Sequence, residues 1–366
     1  MSPRITLVGP VFPLTGGIAQ HNARLAQELE QRGSSVDVES WSSQYPGWLH
    51  KGTQESDRSE SEVGLPSVIR RQLSWYSPRS WWRAGWRSRS SDVVVLTIPT
   101  AFHVIPYAVM RLVWRKTARV IGIVHNVTPH EPLPGNRILM KFVLRLCDHL
   151  IVHSDQAVKQ VRALSGPHPS VTAVRLPSPW SMTRAAAVRG KKQRKTPRFL
   201  FFGTIRPYKG LDVLFHALAR VPECSLLVAG DFWEPIQRYE NLRAELGLES
   251  RVELRPGYVE SDQFEDLFAR CDALVLPYRS GTGSIVRELA FSYGLPVLAT
   301  NVGSIAESIV DGKNGIVVES ESVTALVDGL ERLCVRSELE RLARGVRDMR
   351  ADSSANWERY CQAILN

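Results

Sequence analysis

Three glycine-containing segments of this sequence have residue types that suit phosphate binding. The first is Gly16-Gly17-Ile18, which follows an apolar segment and begins an amphipathic one. Glycine allows backbone N–H groups to approach an anion closely, and a helix N-terminus adds a positive partial charge. A plain tight turn explains the same glycine pair, so both interpretations stay open from the residues alone.

The second segment, residues 203–210, reads GTIRPYKG and lies between a predicted strand and a predicted helix. Arg206 and Lys209 project from this one loop. A guanidinium fork and an ammonium group close together suit a diphosphate. A solvated turn with two surface cations is the alternative. We favour the diphosphate because ligands of parallel sheets bind at the carboxyl ends of the strands.

The third segment, residues 280–285, reads SGTGSI and precedes a predicted helix that carries Glu288. Its design repeats that of the first segment, so it presents further N–H groups to a phosphate or a sugar. Those groups belong to Thr282, Gly283, Ser284 and Ile285. A carboxylate one turn into the helix is placed to accept hydrogen bonds from two ribose hydroxyls. An ordinary surface acid beside Arg287 is the alternative for Glu288.

Short apolar runs and longer amphipathic segments alternate along both halves of the chain. Strands are predicted at 5–8, 36–38, 93–96, 120–125, 150–153, 199–202, 225–229, 252–254, 273–276, 297–300 and 316–318. Helices are predicted at 18–31, 103–119, 136–147, 211–218, 264–270, 284–293 and 304–310. This alternation predicts two doubly wound parallel sheets that face each other across a cleft.

The length of 366 residues suits two domains rather than one. The five cysteines are scattered and form no C-x-x-C, which argues against a disulfide framework or a zinc cluster and favours a reducing compartment. The apolar run at the N-terminus is too short for a signal peptide and predicts a strand. No apolar stretch reaches the length of a membrane span.

Charge is distributed unevenly along the chain. Residues 1–198 hold 28 Lys and Arg against 12 Asp and Glu, whereas the remaining residues hold 18 against 25. The basic half predicts an anionic partner: phospholipid, a phosphorylated substrate or nucleic acid. A basic linker at 189–198 together with a requirement for solubility is the alternative explanation.

Residues 70–89 interleave tryptophan with arginine and read RRQLSWYSPRSWWRAGWRSR. Trp75, Tyr76, Trp81, Trp82 and Trp86 suit the headgroup layer of an anionic bilayer, and the basic helix around Met110, Leu112, Val113 and Trp114 adds to this. Packing on the sheet is the alternative, because Trp82 and Trp86 are four residues apart. Single-stranded nucleic acid also binds such aromatics, but no RNA-binding motif supports it, and we predict no nucleic-acid partner.

The joint pattern resembles glycosyltransferase family 4, a family of retaining, nucleotide-sugar-dependent enzymes with the GT-B fold. Residues 275–318 carry the resemblance most clearly and read VLPYRSGTGSIVRELAFSYGLPVLATNVGSIAESIVDGKNGIVV. Matching segments are GPVFPLTGGIAQHNARLAQELEQRG (9–33), VHNVTPHE (124–131), IVHSD (151–155), FFGTIRPYKGLDVLFHAL (201–218), AGDF (229–232) and PGYVESDQFEDLFARCD (256–272). Nearly the whole chain is covered in the expected order, most weakly at 40–90.

The resemblance implies a role for each matching residue. Gly17, beside Gly16, would place its N–H on the donor phosphate, and Arg206 and Lys209 would bind the diphosphate. His125 would lie beside the transferred sugar, with His130 as a further candidate. The remaining positions line the donor: Tyr258 and Val259 at the nucleobase, Ser284 and Ile285 at the sugar or phosphate, and Glu288 at the ribose. From the residues alone, a buried core histidine is the alternative for His125.

Three positions depart from the family pattern. Ser280 or Gly281 stands where the family has a first glutamate that contacts the sugar. Counted back from Gly294, the slot of the second glutamate falls on Leu289 rather than on Glu288. Thr204 stands where an arginine is usual, and we infer that Arg206 replaces it.

The resemblance therefore predicts a retaining, metal-independent hexosyltransferase. It would move a sugar from a UDP-, GDP- or ADP-sugar to a glycan or lipid-linked acceptor in envelope or polysaccharide biosynthesis, with no cofactor. The predicted domains are residues 1–190 for the acceptor, 196–350 for the nucleotide sugar, and a helix at 351–366 that packs back on the first domain. The predicted location is cytoplasmic, peripheral at the inner membrane.

Two other functions stay open from the sequence. A nucleotide-sugar epimerase has two similar domains but brings carboxylates into the cleft, which the missing first glutamate argues against. A non-catalytic membrane-binding protein on a decayed transferase scaffold is consistent with Ser280 and Thr204.

Overall fold

The structure, a computed structural model, describes residues 2–14, 16–46, 68–127, 135–177, 196–281, 285–303, 305–350 and 353–366. The chain forms two compact units, Met1–Pro179 with Ser354–Asn366, and Trp180–Ser353. Each unit contains one sheet whose described strands all pair in parallel. Among the described residues, no helix has both the length and the apolar character needed to cross a bilayer.

The sheet of the first unit has the strand order β3-β2-β1-β4-β5-β6-β7. Its strands are β1 (Arg4–Val8), β2 (Ser35–Ser43), β3 (Val68–Ser74), β4 (Val93–Ile98), β5 (Arg119–Val124), β6 (His149–Val152) and β7 (Ser170–Ala173). Its helices are α1 (Gly17–Gln31), α2 (Pro78–Arg87), α3 (Val104–Val113), α4 (Asn136–Arg145), α5 (Asp155–Ser165) and α12 (Ser353–Leu365).

Side chains alternate between the two faces of this sheet because successive strand residues point to opposite sides. On β4, Val94 and Leu96 pack in a core with α2, α3 and α4. Val93 and Val95 pack in a second core with α1 and α12. The buried strands are apolar on both faces, as expected for a parallel sheet covered by helices on both sides.

The sheet of the second unit has the order β10-β9-β8-β11-β12-β13. Its strands are β8 (Arg198–Phe202), β9 (Ser225–Gly230), β10 (Val252–Pro256), β11 (Ala273–Leu276), β12 (Val297–Thr300) and β13 (Gly315–Val318). Its helices are α6 (Leu211–Arg220), α7 (Gln237–Glu245), α8 (Phe264–Ala269), α9 (Ile285–Ser292), α10 (Val323–Cys334) and α11 (Arg336–Arg350).

Both strand orders place a topological switch point at the first strand of the unit. The chain leaves β1 toward β2 on one side and reaches β4 on the other, and β8 lies between β9 and β11 in the same way. Ligands of doubly wound sheets bind in the crevice outside the carboxyl ends of the strands at such a point. The segments at Gly16 and at 203–210 follow β1 and β8 directly.

Some predicted elements differ from the structure. The helix predicted at 103–119 ends at Val113, because Trp114 takes an extended conformation and donates its Nε1–H to Ser88 Oγ at 2.8 Å. The helix predicted at 304–310 is a series of turns over its described residues 305–310. There the Asn314 Oδ1 atom accepts the Val310 N–H, at 2.8 Å, and replaces a helical acceptor. Strands β3 and β7 were not predicted.

Candidate functional site

The loop after β8 is tied to the ends of its neighbouring strands by backbone hydrogen bonds. Gly203 N donates to Ala229 O at 3.0 Å, and Ile205 N donates to Asp231 O at 2.7 Å. The loop after β10 joins the same edge, since Gly257 N donates to Gly230 O at 3.0 Å. The carboxyl ends of β8, β9 and β10 are therefore fixed relative to one another.

Gly210 ends this loop and begins α6 at a very close backbone approach. Its φ is +68°, and a Cβ there would lie 2.1 Å from Pro277 O. Only glycine satisfies both the left-handed conformation and this contact. The loops after β8 and β11 are thereby held against each other at the switch point.

Arg279, which sequence reasoning missed, clamps the same two loops together. Its Nη1 donates to Pro207 O at 2.7 Å and to Asp212 Oδ1 at 2.9 Å, and its Nη2 donates to Asp212 Oδ2 at 2.8 Å. This bidentate ion pair raises the pKa of the Arg279 guanidinium. In Asp212, burial acts to raise the pKa of the carboxyl, but the hydrogen bonds and the charge of Arg279 outweigh it, so the pKa is lowered. Arg279 is thus a positioning residue for the loop that carries Lys209.

Lys209 is a buried cation. It is only 7% exposed, and its Nζ lies 5.4 Å from the centre of the Tyr278 ring. A Cβ on Gly203 would lie 3.4 Å from this Nζ and 3.4 Å from Val286 Cγ2, so the ammonium lies beside the start of α9. Burial and then the nearby Arg206 lower the pKa of Lys209 to about 7. An incoming diphosphate would bring negative charge to this buried ammonium group.

Arg206 stacks on an aromatic side chain of the next loop. Its guanidinium carbon lies 3.7 Å from the centre of the Trp233 ring, and Trp233 Nε1 donates to Asp231 Oδ2 at 2.9 Å. Stacking on an indole fixes the plane of the guanidinium, a group that suits the recognition of phosphates. The structure therefore brings Arg206, Lys209 and the start of α9 together, with Trp233 as a residue that the sequence did not single out.

The third predicted segment is described in part. Thr282, Gly283 and Ser284 lie outside the described residues, and Ile285 begins α9. Glu288 is 7% exposed, so the surface-acid alternative is wrong. Its Oε1 accepts from Arg287 Nη2 at 2.9 Å, and Arg287 Nη1 in turn donates to Ile305 O at 2.6 Å. Leu289 packs in the hydrophobic core, so Glu288 is the residue that provides a carboxylate here.

Tyr258 and Val259 follow β10 and line a cavity of about 470 Å³. Its other lining residues are Ala229, Arg255, Pro256, Gly257, Asp262, Gln263, Asp266 and Leu267. The volume falls within the range of small-molecule sites. Tyr258, which lines this cavity, is 41% exposed.

In the first unit, Gly16 and Gly17 form the start of α1. Gly16 has a φ of +108°, is exposed, and would place a Cβ in open space. No acidic residue lies in the first turn of α1, so the positive end of this long helix is not neutralised from within. The positive φ at position 16 requires glycine, as the turn interpretation expects. The N-terminus of α1 keeps its positive partial charge, as the phosphate interpretation requires.

His125 follows β5 and lies in a buried cluster of rings. Its ring centre is 5.0 Å from that of His153 and 5.6 Å from that of His21. On the other side, His21 stacks on Trp357 of α12 at 5.4 Å and meets Tyr360 edge-on at 5.1 Å. We call these five residues the histidine cluster. His130 lies outside the described residues.

The histidine cluster contains an unusual concentration of buried polar atoms that have no hydrogen-bond partner among the residues the structure describes. They are His21 Nδ1 and Nε2, His125 Nε2, His153 Nε2 and Tyr360 Oη. Burial agrees with the core-histidine alternative for His125, but a core histidine is normally hydrogen-bonded. Sequence reasoning missed His21 and Tyr360. The signal available for His21 was its position four residues after Gly17, which places both residues on one face of the same helix.

Burial keeps these histidines neutral. It lowers the pKa of His21 to about 3 and of His153 to about 4, and it holds the pKa of His125 well below its ordinary value, with His153 and His21 as further causes. His103, also buried, has a pKa of about 4. The unfolded chain therefore binds more protons than the folded chain below a pH of about 6.5.

We expect the free energy of unfolding to fall steeply on acidification. Each of these histidines contributes about 1.4 kcal/mol per pH unit between its unfolded and folded pKa values. His21→Leu should reduce the slope by one such contribution, as measured by urea unfolding over a pH series. His216→Leu, which replaces an exposed histidine of α6, is the matched control. Equal slopes for His21→Leu and the wild type would contradict the neutral, buried state of His21.

Two family models match this chain, one in each of its two compact units. Residues 15–174 match the model of glycosyltransferase family 4, and residues 184–344 match the model of group 1 glycosyl transferases. The D-inositol 3-phosphate glycosyltransferase of Mycobacterium tuberculosis is 28% identical over 272 residues, which cover 68% of this chain and 55% of that protein. The chain thus spans about half the length of the curated relatives it matches.

Solved structures share the fold over the whole chain. HepE of Anabaena in complex with UDP has a TM-score of 0.77 at 14% identity and covers 100% of both chains. Sucrose-phosphate synthase of Thermosynechococcus elongatus has a TM-score of 0.74 at 17% identity and covers 98% of this chain and 96% of its own. The predicted fold class, two Rossmann-like domains of GT-B type, is confirmed.

Proposed function

Because this chain belongs to the family-4 type of GT-B glycosyltransferases, we propose that it transfers a sugar from a nucleotide-diphosphate sugar with retention of configuration. The observation that carries the proposal is the arrangement of Arg206 and Lys209 at the switch point of the second sheet, beside the start of α9. Two cations and a helix N-terminus are what a departing diphosphate requires.

The donor is a UDP-, GDP- or ADP-sugar. HepE binds UDP and UDP-glucose, and the catalytic domain of starch synthase IV from Arabidopsis thaliana binds ADP. In this chain the base would enter the cavity at Tyr258 and Val259. Glu288 would accept from the ribose through Oε2, because Oε1 is bound to Arg287.

The reaction breaks the bond between the anomeric carbon and the β-phosphate oxygen. The acceptor oxygen bonds to the same carbon on the face that the nucleotide leaves, and its proton passes to the β-phosphate oxygen. Arg206 and Lys209 neutralise that phosphate, so the chain needs neither a metal ion nor a base of its own. His125 is held neutral by burial, and we assign it to the position beside the transferred sugar.

The acceptor is a glycan or a lipid-linked sugar of an envelope or polysaccharide pathway, met at the cytoplasmic surface of an anionic membrane. The excess of Lys and Arg over Asp and Glu in residues 1–198, 28 against 12, supports an anionic acceptor or surface.

Thermal-shift binding of UDP, GDP, ADP and CDP tests the donor site. At one hundred times the dissociation constant, we expect one nucleotide to raise the melting temperature by roughly 5 °C or more. Arg206→Ala with Lys209→Ala should abolish that shift. Arg220→Ala with Arg344→Ala removes two exposed cations of the same unit and should preserve it.

A non-catalytic protein on a transferase scaffold is the second candidate. The observations that favour it are the absence of a carboxylate at Ser280 and Gly281 and the bond that already occupies Glu288 Oε1. No shift with any of the four nucleotides at millimolar concentration would contradict the transferase and favour this candidate.

A further inference from the structure

Helices α2, α3 and α4 form one layer on a single face of the first sheet. Their inward residues share one hydrophobic core, which includes Ala84 of α2, Met110 of α3 and Val143 of α4. A Cβ on Gly85 would lie 3.1 Å from Met110 Cα, so α2 and α3 approach closely. The outward sides of these three helices therefore belong to one continuous surface, here called the three-helix face.

Most of the large apolar side chains that are strongly exposed in the described chain lie on this face. They are Trp82, Trp86, Ile105, Leu112, Ile138, Leu139 and Phe142, and their exposed fractions run from 41% at Leu139 to 86% at Leu112. Single exposed apolar residues are ordinary, but a cluster on adjacent helices marks an interaction site.

Cations surround these apolar residues. Arg79, Arg83, Arg115, Lys116, Arg137, Lys141 and Arg145 are exposed on the three helices and the turn after α3. On α4, Arg137, Lys141 and Arg145 form a stripe beside Ile138 and Phe142, because residues four apart share a helix face. Residues 78–91, 104–119 and 135–147 contain no Asp or Glu.

The structure shows that some residues predicted for this surface are buried or bound elsewhere. Trp81 is 7% exposed and Trp114 is 4% exposed, and both pack in the core under the helices together with Met110. Arg87 is bound to the buried Glu39 by two hydrogen bonds of 2.8 and 2.6 Å. Trp82 and Trp86, in contrast, stack on each other at 5.4 Å on the outside, so for them the sheet-packing alternative is wrong.

We propose that the three-helix face docks this protein on an anionic lipid bilayer. This docking face rests on the proposed function, in which the acceptor is met at an anionic membrane, and it assigns the residues that contact the lipid. Apolar side chains enter the boundary between headgroups and acyl chains, tryptophan occupies the headgroup level, and arginine and lysine bind lipid phosphates.

The chemistry of the face favours lipid over other anionic partners. Nucleic acid binds through cations and aromatic stacking, but the aliphatic Ile105, Leu112, Ile138 and Leu139 have no partner there. A protein interface is depleted of charge at its core, whereas here cations alternate with the apolar residues. A bilayer accepts both kinds of side chain at adjacent depths.

Sedimentation with lipid vesicles tests the proposal on the full chain. We expect the wild type to bind vesicles of phosphatidylglycerol and phosphatidylcholine in equal parts and not vesicles of phosphatidylcholine alone. Replacing Arg137, Lys141 and Arg145 by glutamine should weaken binding about fivefold per cation, roughly a hundredfold in total. Replacing Leu112, Ile138 and Phe142 by serine should weaken it as strongly without changing the net charge.

The matched control replaces Arg220, Arg344 and Arg347, three exposed cations of the second unit, by glutamine, and we expect it to bind as the wild type does. The proposal is overturned if the wild type binds both kinds of vesicle equally or binds neither. It is also overturned if either face variant binds as the wild type does, or if the control loses as much binding as the face variants. The melting temperature of each variant, measured without nucleotide and compared with that of the wild type, shows whether it is folded. A wild type that binds nucleotide but not vesicles contradicts the docking face alone, whereas binding to vesicles without nucleotide contradicts the transferase alone.

Discussion

Replacing Lys209 by methionine is expected to lower kcat for glycosyl transfer by at least about a hundredfold. The variant keeps the length of the side chain and its packing beside Gly203 and Tyr278 but removes the ammonium. Affinity for the nucleoside diphosphate should fall by about tenfold or more, since a hydrogen bond to a charged group contributes about 1.5–3 kcal/mol. Lys313→Met, at an exposed lysine of the same unit, is the control.

Proton uptake distinguishes this role of Lys209 from a merely structural one. The ligand-free ammonium has a pKa of about 7, and a bound diphosphate raises that pKa by its charge. Above a pH of about 7, binding therefore takes up a proton, and affinity falls as the pH rises toward the pKa of the complex. Calorimetry in two buffers of different ionisation enthalpy should show the uptake in the wild type and not in Lys209→Met.

The same substitution should not destabilise the fold. Between a pH of about 7 and the ordinary lysine value, the unfolded chain binds a proton at Lys209 that the folded chain does not. The free energy of unfolding of the wild type therefore rises with pH across that window through this group, and Lys209→Met loses that dependence. A variant that unfolds contradicts this expected stability, whereas a folded variant that retains full activity and proton uptake contradicts the role of Lys209.

Gly210→Ala is expected to lower stability and remove nucleotide binding together. The left-handed φ of +68° costs an alanine about 1–2 kcal/mol, and the contact of 2.1 Å between its Cβ and Pro277 O forces the two loops apart. Overpacking of this kind adds about 1–3 kcal/mol. Because Lys209 immediately precedes this position, the nucleotide-induced thermal shift should be lost as well.

Gly247→Ala separates the cost of the backbone conformation from the cost of the contact with Pro277. Its φ of +64° is nearly the same, but nothing lies within 4 Å of the added Cβ. We expect a cost from the backbone alone, about 1–2 kcal/mol by urea unfolding, and an unchanged nucleotide-induced shift. Equal costs at Gly210 and Gly247 would show that the loops after β8 and β11 do not meet as described.

Several features of the fold and the site were predictable because their signals are local. The apolar runs at 93–96 and 199–202 predict buried parallel strands, and the glycines before α1 and α6 mark where the chain turns from strand to helix. Strand β3 was missed because Arg70 and Arg71 interrupt its apolar pattern. Arg70 lies near Asp37 and Glu39 of the adjacent strand, and Arg71 donates to Phe12 O at 2.6 Å. These partners exist only once the sheet has formed.

By itself, the sequence determined the strand–helix alternation, the family resemblance and the pairing of Arg206 with Lys209 in one loop, since these depend on residue types at short spacing. The tertiary structure decided which tryptophans are exposed, because neighbours on one helix, such as Trp81 and Trp82, point to opposite sides. It also brought His21, His125, His153 and Tyr360 together from distant positions. Only the fold sets how far each group is removed from water, and that burial fixes the pKa values of Lys209 and the histidines.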